Sequence, residues 1–248
     1  MENMFTENSL NIILSPHLDD AVISLGGFIY KHPDNTKVIT IFSGKPKTNK
    51  VRIWDLWCGF KNSSQALKSR LTENDTALTS LGLIKANIIN LDFLDYQYTN
   101  KKERERNGNI MNEILSDKLL DTLNKGKCKN INLFAPIAIK HKDHEFVHNF
   151  LNYFKKNNLN SNFNIQFFFY EDYPYFFKFK KSKGYFQYLS HEKENFLLTK
   201  KDLEIKINAI GIYKSQFKFP FTVLASFFRQ IKKDKKNIFD KETVYKLI

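Results

Sequence analysis

The chain has 248 residues and is 42% hydrophobic and 26% charged, a composition usual for one soluble α/β domain or two small ones. No apolar run approaches the roughly 18 residues that would span a bilayer. The net charge of +13 is scattered along the chain, which argues against a dedicated nucleic-acid face, so we expect no nucleic-acid partner.

Short apolar runs alternate along the chain with longer segments whose apolar residues recur at helical spacing. In chain order the sequence predicts a strand at 10–14, a helix at 20–30, a strand at 37–42, a helix at 63–81, a strand at 87–91, a helix at 109–124, a strand at 130–134, a helix at 143–154, a strand at 164–170 and a helix at 201–217.

This alternation is typical of βαβ units. It predicts a Rossmann-like α/β fold with a mostly parallel sheet, helices on both faces and a site at the carboxyl ends of the strands. The sequence contains no repeat, low-complexity linker or evident domain boundary. We therefore expect one domain over residues 1–248, with a less certain C-terminal extension at 217–248.

Two polar clusters follow predicted strands. His17, Asp19 and Asp20 come directly after the first strand, and His141 and His144 come a few residues after the fourth. Imidazole and carboxylate groups suit Zn²⁺ and related divalent ions, and a catalytic zinc site needs three protein ligands and one open position. Of two adjacent aspartates, one can bind the metal while the other acts as a base. The clusters therefore predict a metal-dependent hydrolase.

Plainer explanations exist for each cluster alone. Asp19 or Asp20 could simply cap the helix that follows. His148 lies one helical turn after His144 and is expected to be a packing or surface residue. His32 lies between a helix and a strand, which is the opposite end of such a sheet, and is expected in a connecting turn.

Together the motifs resemble those of the PIG-L/LmbE-like deacetylases, zinc-dependent enzymes that cleave N-acetyl groups from glucosamine-containing substrates. The two histidine motifs are the specific part of the resemblance, and the others support it. The matching segments are residues 16–20 (PHLDD), 70–82, 91–95 (LDFLD), 141–144 (HKDH), 170–175 (YEDYPY) and 206–216. Leu18 and Lys142 stand where proline is common in the family, and Ala21 stands where glutamate is common.

The resemblance implies a zinc ion, or another divalent transition metal, bound by His17, Asp20 and His144. It implies an N-deacetylase that releases acetate from an N-acetylglucosamine-type sugar. The substrate would be a small-molecule or lipid-linked amino sugar.

The resemblance also assigns roles to five further residues. Asp19 would be the general base. His141 would stabilise the oxyanion and would be oriented by Asp143. Arg70 and Asp95 would bind the substrate.

Two other functions remain open from the residues themselves. A metal-dependent phosphoesterase could use the same ligand types and would suit the basic charge, but such enzymes more often hold two metals about 3.5–4 Å apart, and the sequence offers ligands for one. A non-catalytic sugar-binding module on the same fold would have no need of a base such as Asp19.

The termini and the cysteines complete the sequence-based expectations. The polar N-terminus lacks signal-peptide features, and the two cysteines suggest no disulfide framework, so we expect a cytoplasmic protein. Residues 217–236 combine one apolar helical face with basic residues. This face either packs on the domain or makes a peripheral contact with an anionic membrane.

Overall fold

The computed structural model describes residues 8–99, 101–138, 141–158, 162–176, 192–217 and 240–247. These residues form one seven-stranded sheet. Its strands are β1 Ser9–Ser15, β2 Thr36–Thr40, β3 Ile88–Asn90, β4 Asn130–Pro136, β5 Asn164–Tyr170, β6 Glu192–Leu197 and β7 Lys241–Lys246.

The strand order is β3-β2-β1-β4-β5-β7-β6. The first five strands in this order pair in parallel, whereas β7 runs antiparallel to both β5 and β6. The prediction of a mostly parallel sheet in an α/β fold is therefore confirmed.

Seven α-helices lie in the described part of the chain. They are α1 Asp20–Lys31, α2 Ile53–Trp57, α3 Ser63–Ser80, α4 Lys101–Asn124, α5 Lys142–Asn157, α6 Lys200–Ile210 and α7 Lys214–Phe217. None of the helices that the structure describes is long and apolar enough to cross a bilayer.

Two apolar cores lie on opposite faces of the sheet, because alternate residues of a strand point to opposite sides. On β1, Ile13 belongs to the core that contains residues of α1, α3 and α6. Its neighbours Ile12 and Leu14 belong to the core that contains residues of α4 and α5. Helices therefore cover both faces, as predicted.

Most helices and strands begin and end within a few residues of their predicted bounds, but the single helix predicted at 201–217 is wrong. The helix ends at Ile210. Tyr213 beyond it is buried, and its hydroxyl contacts Leu18 O at 3.0 Å and Asn74 Oδ1 at 3.1 Å.

Gly82, beyond the end of α3, has φ +96, the left-handed conformation that glycine adopts without strain.

The predicted C-terminal extension contains one strand of the sheet. Strand β7 lies between β5 and β6, and its Glu242 is buried against α1 and α6. The expected membrane-contacting face at 217–236 lies outside the described residues, apart from the backbone of Phe217.

Candidate active site

A cavity of about 450 Å³ opens at the carboxyl ends of β1 and β4, where the sequence predicted a site. Most of the predicted site residues line it: His17, Asp19, Asp20, Arg70, Asp95 and His141. The two others, Asp143 and His144, are buried beside it in the first turn of α5.

The loop after β1 is held by its own hydrogen bonds. Ser15 donates its hydroxyl proton to His17 O (2.6 Å) and accepts the Ala21 N–H (3.1 Å). Asp20 Oδ2 accepts the backbone N–H of His17 at 2.8 Å. Asp19 occupies the N-cap position of α1, but its side chain makes no capping hydrogen bond. The capping explanation therefore does not account for Asp19.

The three predicted metal ligands converge on one carboxylate oxygen. Asp20 Oδ2 lies 3.2 Å from His17 Nδ1 and 3.2 Å from His144 Nε2. Ligand atoms on a tetrahedral zinc with bonds of about 2.0–2.1 Å would be separated by about 3.3 Å. His144 Nε2 is buried, and it contacts Asp20 Oδ2 without the geometry of a hydrogen bond. The donor set therefore fits a divalent metal.

His141 lies next to these ligands. One ring nitrogen from each of His17, His141 and His144 falls within a group whose atoms are all within 4.8 Å of one another. The His141 ring also lies 5.5 Å, centroid to centroid, from the ring of Tyr175. His141 is thus close enough to contact a group bound at the ligands.

An aspartate orients each of the two predicted histidine ligands. His17 Nε2 is 2.9 Å from Asp143 Oδ2, and His144 Nδ1 is 3.0 Å from Asp172 Oδ2. The other ring nitrogen of each histidine, Nδ1 of His17 and Nε2 of His144, faces Asp20. Metal-binding histidines commonly share their second ring nitrogen with a carboxylate, which sets the ring orientation.

The contact of Asp143 corrects one expectation. The sequence resemblance assigned Asp143 to the orientation of His141, but Asp143 instead contacts His17 and accepts the backbone N–H of Tyr96 at 2.9 Å. The two residues have different backbone conformations: Asp143 lies in the first turn of α5, whereas His141 precedes that helix with an extended backbone (φ -123, ψ 126).

The environment separates the acidities of the two adjacent aspartates. Burial and the charge of Asp20 raise the pKa of Asp19 to about 6. Burial opposes the ionisation of Asp20, but the contacts with His144 and His17 hold the pKa of Asp20 well below its usual range. Burial and the neighbouring histidines lower the pKa of His141 to about 4, which leaves its ring neutral.

The predicted substrate-binding residues lie on the cavity wall. Asp95 accepts hydrogen bonds from the backbone N–H and the side-chain amide of Gln97, at 2.9 and 3.0 Å. Arg70 is held by an ion pair with the buried Asp55 at 3.2 Å, and Asp55 also accepts the hydroxyl proton of Tyr98 at 2.7 Å.

Several residues of the site were missed by sequence reasoning. Asp172 was only part of a matching segment, and Asp55 had no signal at all because it lies in a five-residue helix. The remaining cavity wall is largely aromatic, and of its aromatic residues only Tyr175 and Tyr213 lay in segments that matched the family. The wall includes Trp54, Trp57, Tyr96, Tyr98, Tyr175 and Tyr213.

The two other histidines considered have structural roles. His32 follows the last residue of α1 and its ring packs on Phe28, 4.8 Å between centroids, before β2 begins. His148 stacks on Phe169 at 4.2 Å and contacts Pro136 O at 3.1 Å. These contacts agree with the expectation that His32 lies in a connecting turn and that His148 is a packing residue.

Comparison with known proteins gives one family and several structures. The model of a family described as "PIG-L: GlcNAc-PI de-N-acetylase" matches residues 12–154, more than half of the chain. No curated protein matches the chain.

Solved structures that share the fold include two deacetylases and a hydratase. The zinc-inhibited form of teicoplanin deacetylase Orf2 is 17% identical with a TM-score of 0.73, covering 96% of this chain and 97% of that one. The A40926 pseudoaglycone deacetylase Dbv21 is 19% identical with a TM-score of 0.70, with the same coverages. GalB, the 4-carboxy-2-hydroxymuconate hydratase of Pseudomonas putida KT2440, is 14% identical with a TM-score of 0.61, covering 97% of this chain and 96% of that one.

Proposed function

The chain belongs to the PIG-L family, and we propose that it is a metal-dependent hydrolase that removes the N-acetyl group from an N-acetylglucosamine-type sugar or glycoconjugate, releasing acetate. The observation that carries this proposal is the convergence of His17, Asp20 and His144 at the cavity, with Asp19 beside them. A fold shared with a hydratase does not by itself specify the chemistry, so the proposal rests on this site.

The residues that would hold the metal are His17 through Nδ1, Asp20 through Oδ2 and His144 through Nε2. This choice follows from the 3.2 Å separations and from the aspartates that engage the opposite ring nitrogens. A zinc ion bound there would polarise the amide carbonyl and lower the pKa of water toward about 7.

Asp19 is proposed as the general base. Its side chain lines the cavity next to the ligands and makes no capping hydrogen bond, which leaves it available to the substrate. It would accept a proton from the attacking water and return that proton to the departing sugar nitrogen when the amide C–N bond breaks. The products would be acetate and a free amine on the sugar.

His141 is proposed to stabilise the negative charge that develops on the amide oxygen. Its neutral ring can donate a hydrogen bond from one nitrogen, and Nδ1 is buried without a hydrogen-bond partner in the described structure. Removing one such donor from an acyl-transfer site typically costs about 3 kcal/mol of transition-state stabilisation.

Arg70 and Asp95 are proposed to bind the sugar. Asp95 can accept hydrogen bonds from sugar hydroxyls, since its carboxylate lies on the cavity wall. The ion pair of Arg70 Nη2 with Asp55 holds the guanidinium in place on the cavity wall. An aromatic wall beside polar groups is well suited to a sugar ring, which has apolar faces and polar edges.

The experiment that tests this function is an acetate-release assay. The full-length protein would be incubated with a panel of N-acetylglucosamine conjugates, and acetate and free amine would be quantified together. We expect equal amounts of both from at least one conjugate, and release slower by about 10²-fold or more with the Asp19→Asn protein. A phosphomonoester panel run in parallel, with phosphate release and no acetate release, would instead favour the phosphoesterase alternative.

A further inference from the structure

Helix α2, beside the cavity, presents apolar side chains to solvent. Ile53, Leu56 and Trp57 are 67%, 51% and 48% exposed, and their spacing places them on one face of the helix. Val51, two residues before the helix, is 60% exposed. An exposed apolar face of this kind on a soluble domain usually marks an interaction surface.

Helix α2 exposes its apolar side chains because its one acidic residue, Asp55, is held in the protein interior. Asp55 is fully buried, and its two carboxylate oxygens contact Arg70 (3.2 Å) and Tyr98 (2.7 Å). A surface helix ordinarily buries its apolar side chains and exposes its charged ones. Here the arrangement is reversed, because rotating the helix inward would break the bonds of Asp55.

Basic residues lie close to the apolar face in the sequence. Within residues 45–61, which we call the basic apolar surface, Asp55 is the only acidic residue and it is buried. The exposed charges of this segment are therefore all positive: Lys45, Lys47, Arg52 and Lys61.

The basic apolar surface adjoins the entrance of the cavity. Trp54 and Trp57 line the cavity wall, and Trp57 also belongs to the exposed face. A large body that contacts Ile53 and Leu56 would therefore lie next to the opening of the cavity.

We propose that the basic apolar surface docks on an anionic lipid bilayer, with Ile53, Leu56 and Trp57 entering the interface and the basic side chains contacting lipid headgroups. Apolar side chains flanked by Lys and Arg, with tryptophan among them, are the combination that binds such interfaces. A second copy of the chain would bring like charges together, which disfavours self-association. This docking is independent of the deacetylation proposed above.

Vesicle co-sedimentation of the full-length protein tests the docking. We expect sedimentation with vesicles of phosphatidylcholine and phosphatidylserine at low salt, and little with phosphatidylcholine alone or at high salt. If the wild-type protein fails to bind anionic vesicles at low salt, or binds neutral ones equally well, the proposal is overturned.

Substituting two exposed apolar residues of α2 tests whether this helix makes the contact with the bilayer. We expect Ile53→Ser/Leu56→Ser to weaken partitioning by at least about tenfold, since two aliphatic side chains no longer enter the interface. The matched control is Ile110→Ser/Ile114→Ser, which removes two exposed side chains from α4 and should bind as wild type. Neither Ile53 nor Leu56 lines the cavity, so acetate release from a soluble substrate should be retained.

Substituting two lysines that precede α2 gives an independent test that leaves the helix itself unchanged. Each Lys near an anionic bilayer strengthens binding about fivefold, so Lys45→Ser/Lys47→Ser should weaken it by about 30-fold. The control is Lys200→Ser/Lys201→Ser, which removes the same charge at the start of α6. All variants keep residues 218–239, so wild-type binding by both the apolar and the charge variant would place the contact elsewhere and refute the proposal.

Discussion

The contact between Glu242 and α1 leads to a prediction about stability. Helix α1 departs from helical geometry at Leu25 (φ -125, ψ 24). The Glu242 carboxylate accepts the N–H groups of Gly27 and Phe28 beyond this point, both at 2.7 Å, and the ammonium of Lys206 at 2.6 Å. Glu242→Ala removes all three bonds at once.

The cost of this substitution follows from burial. Glu242 and Lys206 are 1% and 0% exposed, so Glu242→Ala removes the carboxylate from a buried ammonium and two buried N–H groups, although Lys206 keeps its contact with Ser24 O at 3.3 Å. Removing one partner of a buried ion pair typically costs about 3–5 kcal/mol, out of a total stability of about 5–15 kcal/mol. Burial lowers the pKa of Lys206, so loss of its proton limits the penalty.

Urea unfolding measures this loss through the transition midpoint at constant m-value. The matched control is Glu192→Ala on β6, where the carboxylate is 56% exposed and lies 3.9 Å from Lys246; a change within about 0.5 kcal/mol is expected. The double variant Lys206→Met/Glu242→Leu should recover at least about 1 kcal/mol relative to Glu242→Ala, because no unpaired charge remains.

A loss below about 1 kcal/mol for Glu242→Ala, with the m-value unchanged, would mean that β7 does not hold α1 in place. That outcome would also weaken the prediction that residues 1–248 form a single domain.

Three further predictions concern the site. Asp19→Asn should lower kcat by about 10²-fold or more while metal content by elemental analysis and the unfolding midpoint stay unchanged; wild-type turnover would remove Asp19 from the mechanism. His144→Ala should purify without the metal that Asp19→Ala retains, and equal metal contents in the two proteins would contradict the ligand assignment. Asp172→Asn should weaken metal affinity by about 10–100-fold in a chelator competition, and an unchanged affinity would show that Asp172 does not position His144.

The parts of the fold that could be predicted are those with a local sequence signal. Strands β1, β4 and β5 are apolar runs, and α1 and α5 carry apolar residues at helical spacing, so each could be recognised without its neighbours. The position of the site followed from the same strands, because the carboxyl ends of parallel strands meet at one edge of the sheet.

The parts that were missed depend on contacts between distant segments. Strand β6 alternates between exposed and partly buried residues, and β7 is placed in the sheet by pairing with β5 and β6 rather than by its own pattern. Helix α2 was missed because it has only five residues, which is too short to show an apolar residue at each helical turn. It also exposes its apolar side chains, whereas sequence patterns assume that apolar residues are buried.

The orientation of the side chains in the candidate site could not be predicted from a sequence pattern either. Residue types and spacing predicted two clusters at one edge of the sheet, the family resemblance implied His17, Asp20 and His144 as the ligands among them, and these three residues lie together in the structure. Spacing alone could not decide whether Asp143 contacts His141 or His17, because that choice depends on the backbone where α5 begins.

The most direct test of the proposed function is acetate release from an N-acetylglucosamine conjugate before and after metal removal. The full-length protein would be stripped with a chelator, dialysed, and reloaded with zinc in steps up to and beyond one equivalent. We predict that the stripped protein releases no acetate and that release returns as about one ion per chain is restored. Full acetate release by the stripped protein, or none at any zinc level with any conjugate, would contradict the assignment of this site as a metal-dependent N-deacetylase.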